Sequence, residues 1–174
     1  MKYGRTARFL HWLVAILVLL MIPAGLVMAQ DVGRAIQDPL FLFHKNTGVV
    51  VFILLAIRLA WRATHPPPPL PASVPKVQRI AARLTHYGLY LFLIVMAVSG
   101  YVRVTAGGFP IEVLARIGVP PLLPKMEGVA ETAKAVHAAA KNGLILLIAM
   151  HVAAAAYHGL LRRDGVFSRM WPPT

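Results

Sequence analysis

Four stretches of the chain are strongly apolar and carry few charges, from about Phe9 to Ala29, Leu40 to Ala60, Leu84 to Val104 and Ala138 to Leu161. A bilayer core ~30 Å thick takes about 20 residues of helix at ~1.5 Å each, so every one of these stretches is long enough to cross. With their flanking turns they predict helices at about 9–29, 40–62, 80–104 and 133–162. The fold class expected is all-α, an integral membrane four-helix bundle, with residues 1–174 forming a single domain without internal repeats. The first stretch follows Lys2, Arg5 and Arg8 as a signal peptide would, but it is long and three similar segments come after it, so it reads as a retained span.

The connections are distinct. Thr64 to Val77 contains Pro66, Pro67, Pro68, Pro69, Pro71 and Pro75, which cannot continue a helix and favour a stiff polyproline connector. In the longer segment from Thr105 to about Thr132, Pro110 can open a short helix through Ile117 that lays Ile111, Val113, Leu114 and Ile117 on the membrane surface. Pro23 lies inside the first span, where a kink is expected.

Composition agrees with lipid as the solvent: 58% of residues are hydrophobic and 14% charged. Lysine and arginine collect on the cytoplasmic side of membrane proteins, and a cytoplasmic N-terminus places 11 of the 18 there. Asp31, Asp38, Glu112, Glu127 and Glu131 fall on the other side and only Asp164 on the inner one. The net charge of +12 is thus mostly an inner-face property; attraction to anionic lipid accounts for it without nucleic acid as a partner. There is no cysteine, which excludes disulfides, iron–sulfur clusters and covalently attached haem, and leaves histidine to bind any metal.

Ionisable side chains inside a span are costly and mark function or an interior face. His11, His44, His86, His137, His151 and His158 lie in or at the ends of helices, and only His65 falls in the proline connector. His137 and His151 are 14 residues apart, which returns them to within roughly 40° of one helix face and separates them by about 21 Å. His44 starts near the outer surface and matches His137 in depth; His11 starts near the inner surface and matches His151. The pairs expected are therefore His44 with His137 and His11 with His151, with His86 or His158 as alternative partners of His11. Facing imidazoles in an apolar bundle suit the two axial positions of a haem b, and two such haems per chain form an electron path. A hydrogen bond between helices or a proton relay is the plainer reading of any one of these histidines.

Counting 14 residues from His44 reaches Arg58, at the level of His151, where a haem propionate would supply the anion it needs. Snorkelling to the interface is the competing reading of Arg58. Lys45 and Lys141 are propionate candidates at the outer site. His86, His158 and Arg8 remain near the inner surface and could serve a quinone head group, which needs hydrogen-bond donors and a proton source. Phe9, Trp12, Tyr87, Tyr90, Tyr101 and Trp171 are read as core or interface residues, and no catalytic residue is identified.

Several stretches together resemble the bacterial cytochrome b561 family of dihaem membrane proteins: Arg8-Phe-Leu-His-Trp-Leu, Phe43-His-Lys-Asn-Thr-Gly, His86-Tyr-Gly-Leu-Tyr, Ser99-Gly-Tyr, and Met150 through Tyr157-His158 followed by Arg163-Asp-Gly-Val and Arg169-Met. The resemblance implies His11, His44, His137 and His151 as ligands of haem iron in an inner membrane protein. It also implies, from the chain's length, likeness to superoxide oxidases, which pass an electron from periplasmic superoxide to ubiquinone. Two departures stand out: Gly159 where a second histidine is common, and Val98 where proline is common. The alternatives are a haem-bearing subunit relaying electrons between a periplasmic dehydrogenase or hydrogenase and quinone, and a histidine-lined metal or proton transporter without haem.

Overall fold

The computed structural model describes residues 2–171. Its elements are α1 (Arg5–Val27), α2 (Arg34–Thr64), α3 (Lys76–Ala106), the short α4 (Glu112–Arg116) and α5 (Glu127–Ala156), which continues as a π-helix over Tyr157–Arg162 before a 3-10 turn at Phe167–Arg169. Among the described residues there is no strand. α1, α2, α3 and the Glu127–Arg162 stretch are each long and apolar enough to cross a membrane.

Three of the helices extend well beyond their apolar runs, because a helix need not end where lipid does. α2 starts at Arg34 rather than near Leu40, adding a polar turn and a half. Gly33 has φ +75°, a left-handed turn that glycine makes without a Cβ clash, and Gln37 Nε2 then donates to the Met28 carbonyl at 2.9 Å to tie the α1–α2 connection. Pro39 sits inside this extension, at the cost of the one hydrogen bond its nitrogen cannot give. The expected surface helix from Pro110 through Ile117 shortens to α4: Ile111 is buried but extended, and Ile117 is exposed beyond the helix end.

Packing is uneven. α5 lies closely along α3, α1 along α2, and α2 more thinly along α3. Glycines make the α3–α5 approach possible, as small residues do between membrane helices. A Cβ on Gly143 would come within 2.6 Å of the Phe92 ring, and one on Gly88 within 2.8 Å of Leu147 Cδ1. Val14, Val18 and Val51 form the buried centre of the α1–α2 contact, with Leu93 and Ile148 reaching it from the other helices. α5 has no comparable backbone approach to α1 or α2.

The near end of the bundle holds the described N-terminal residues, the proline connector and the C-terminal tail. There the Tyr3 amide donates to the Arg169 carbonyl at 3.1 Å, Trp12 Nε1 to the Met170 carbonyl at 2.9 Å, and the buried Arg169 guanidinium to the Pro68 carbonyl. At the far end Lys45 Nζ pairs with Glu112 at 2.6 Å and donates to the Pro110 carbonyl at 2.8 Å. Asn46 completes this clasp, donating to Glu112 at 2.9 Å and accepting from the Val113 amide at 2.8 Å.

Burial acts to raise the Glu112 carboxyl, but the hydrogen bond from Lys45, aided by Asn46, outweighs it and holds the group below its ordinary range. A carboxyl whose folded value is depressed contributes stability that is present above the unfolded value and is lost as pH falls through the folded one. The clasp should therefore stay shut at neutral pH and open only in acid. Hydrogen exchange at the Val113 amide reads this directly. Protection at neutral pH should drop in Glu112→Gln, and unchanged protection in that variant would contradict the clasp.

Candidate functional site: two imidazole pairs

At the far level, the His44 ring on α2 and the His137 ring on α5 face each other with centroids 6.3 Å apart and planes at 74°. At the near level, His11 on α1 and His151 on α5 stand 6.1 Å apart, also at 74°. Both pairs reach across the seam where α5 lacks close backbone packing against α1 and α2.

These spacings discriminate between possible ligands. A metal midway between two imidazoles needs two metal–nitrogen bonds of about 2 Å plus about 1 Å from each nitrogen to its ring centre, roughly 6 Å in all. Both pairs meet that requirement. A bare ion in a protein site wants about four ligands, and among the described residues no three His, Asp or Glu side chains gather to hold one. Haem brings four nitrogens of its own and asks the protein for two, so the donor set fits haem rather than a naked cation.

The surroundings of the far pair fix the rings. A Cβ on Gly25 would lie 3.0 Å from His44 Cε1, and one on Gly100 would lie 3.2 Å from His137 Cε1, so glycine admits each imidazole flat against a helix. Ser99 Oγ donates to the Val95 carbonyl at 2.6 Å, which leaves its lone pairs for His137 Nδ1 at 3.1 Å. Protonating Nδ1 in this way frees the Nε2 lone pair for a metal. His44 Nδ1 is buried and faces the Met21 backbone without completing a hydrogen bond.

Each pair lies within electrostatic reach of an arginine. Arg58 Nε donates to Tyr90 Oη at 3.1 Å and Nη1 to the Ala7 carbonyl at 3.2 Å, close enough to act electrostatically on His11, His86 and His151. Arg103 plays this part at the far level, acting on both His44 and His137, with Lys141 also acting on His137. Sequence reading passed over Arg103, although it follows Ser99 by one helical turn on the same face of α3. Lys45, by contrast, spends its charge on Glu112.

The remaining histidines are scattered. His86 stands beside His151, with ring centroids 5.4 Å apart. His158 lies beyond α5 in the π-helix and pairs with Asp164 at 2.7 Å. His65 caps α2, stacked on Trp61 at 3.8 Å. Arg8 is buried on α1.

A helical membrane bundle with bis-imidazole sites at two depths has the architecture of a membrane haem protein. A family model described as prokaryotic cytochrome b561 matches residues 2–173, and the chain belongs to that family of membrane haem proteins, whose role is electron transfer. It is similar to "Cytochrome b561 homolog 2" of Escherichia coli (strain K12), 36% identical over 174 residues, 97% of this chain and 90% of the relative. It is also similar to "Cytochrome b561 homolog 1" of the same organism, 24% identical over 173 residues, 98% of this chain and 97% of the relative.

Proposed function

We propose that the chain holds two haem b groups, one on His44 and His137 and one on His11 and His151, and carries electrons from superoxide to ubiquinone. The observation that carries this reading is the pair of imidazole couples at 6.3 and 6.1 Å, set at two heights on α5. Bound there, each haem would be held by His44 and His137 or by His11 and His151 and would supply a one-electron centre for electron transfer.

The near end is the cytoplasmic one, supported by the concentration of lysine and arginine there. The far end then faces the periplasm of the bacterial inner membrane. Its cations beside the imidazoles, Arg103 and Lys141, have no carboxylate partner among the described residues, so they can hold a propionate or draw in a small anion such as superoxide. Arg58 is the corresponding propionate anchor at the near level. Two superoxide ions give two dioxygen molecules and two electrons; one ubiquinone takes those electrons with two protons to become ubiquinol. His86, His158 and Arg8, at the near end, are the groups available to that quinone.

The test mixes purified, oxidised, haem-loaded protein with superoxide in a stopped-flow spectrometer, then adds a short-chain ubiquinone. Prompt appearance of the reduced haem bands, followed by their loss to quinone, is expected. Bands that do not respond to superoxide would end the oxidase reading. Co-purification of a large redox subunit that reduces the bands would favour the relay reading instead.

A further inference from the structure

Where α5 ends, its hydrogen-bond ladder widens into the π-helix Tyr157–Arg162, and Arg163 follows in the left-handed region at φ 48°, ψ 34°. A π turn inserts a residue and redirects the side chains around it, and a left-handed arginine is strained; both are features found at functional sites. Their joint effect is to fold the chain back on itself so that Asp164 meets His158. His158 Nδ1 and Asp164 Oδ2 lie 2.7 Å apart, with the two side chains only 12% and 9% exposed. Asp164 Oδ1 accepts from the Val166 amide at 3.2 Å. Phe167 closes over the turn at Gly159, where a Cβ would come within 3.0 Å of the Phe167 ring. Burial acts to raise the Asp164 carboxyl, yet the His158 hydrogen bond, the Val166 amide and Arg162 together hold it below its ordinary range, so it stays an acceptor.

We propose that Asp164 is a positioning residue for His158, and that His158 delivers protons to the reduced quinone at the near face. The proposal rests on the quinone reading above. With Nδ1–H donated to Asp164, the working nitrogen of His158 is Nε2. As an electron reaches the quinone, the Nε2–H bond of the imidazolium breaks and an O–H bond forms on a quinone oxygen. The imidazole left behind keeps its Nδ1–H on Asp164 and regains its Nε2 proton from cytoplasmic water. Two rounds balance two electrons and two protons per quinol. Asp164 acts as the carboxylate does behind a general-base histidine, fixing the tautomer and stabilising the imidazolium without itself taking up the proton.

Asp164→Asn isolates that role. The side-chain oxygen can still accept from Val166, so the turn keeps its tie, but the amide nitrogen now donates toward Nδ1 and imposes the opposite tautomer. Haem-loaded protein is reduced and mixed either with a short-chain ubiquinone, which needs protons, or with ferricyanide, which accepts an electron alone. Reoxidation by ubiquinone should slow tenfold or more in Asp164→Asn and in His158→Gln and recover in part in Asp164→Glu. Reoxidation by ferricyanide should keep the wild-type rate. Unchanged ubiquinone rates, or equal slowing with both oxidants, would overturn the proposal. Wild-type protein that reacts with ferricyanide and not with ubiquinone would overturn the quinone reading itself, and this inference with it.

Discussion

Replacing His137 by alanine is expected, on the proposed two-haem reading, to lower the haem content of the purified chain from two to one, with the near-level absorption band retained. At the far pair, Ser99 hydrogen-bonds His137, and its hydroxyl would be a poor ligand for haem iron. The near level differs, because His86 stands 5.4 Å from His151 and, on the proposed reading, would be placed to substitute for it as a haem ligand. His151→Ala should therefore weaken or shift the near-level band, and only the double variant of His86 and His151 should abolish it. An extracted-haem assay with a reduced-minus-oxidised spectrum reads both results. Two full haems per chain in His137→Ala would refute the assignment.

The second large effect is on packing. Glycine to a larger residue within a helix ordinarily costs little, since glycine is itself a poor helix former. Gly143 is different, because its missing Cβ is where Cε1 and Cζ of Phe92 press against α5. Gly143→Val must push α3 away from α5, and overpacking of this kind costs about 1–3 kcal/mol. The push comes between His137 and His151, on the helix that carries both. The variant should lose thermal stability in detergent and, on the proposed reading, release both haems together on heating, whereas Gly128→Val, where nothing lies within 4 Å, should leave the midpoint nearly unchanged. Equal midpoints for the two would show that the contact carries no weight.

Much of the fold was legible from the sequence because lipid imposes a blunt rule: a spanning segment must be a long apolar helix. The four spans follow from that alone. The polar beginning of α2 does not, since Arg34, Gln37, Asp38 and Pro39 carry no apolar period and proline is unusual inside a helix. The levels of the histidines were legible from the rise per residue, which predicts which rings can meet. Which side chains stand behind them was not. Ser99 and Arg103 come from α3, and a single sequence contains nothing that fixes the rotation of α3 against α5. His86 was already an alternative partner of His11 by its level, but its approach to His151 depends on the same rotation. Lys45 illustrates a different blind spot, because its partner Glu112 is 67 residues away in sequence and arrives only through the fold of the far-end loop. The His158–Asp164 pair depends on a π turn, and regular helical counting cannot anticipate one.

The thin contact between α5 and the α1–α2 hairpin has a consequence for stability. The chain is two antiparallel hairpins joined along α2 and α3 and by Leu93 and Ile148, while the four imidazoles reach across the remaining seam between α5 and the first hairpin. On the proposed reading, a haem held by each imidazole pair would tether α5 to α1 and α2, so haem-free protein should unfold at a lower temperature than haem-loaded protein.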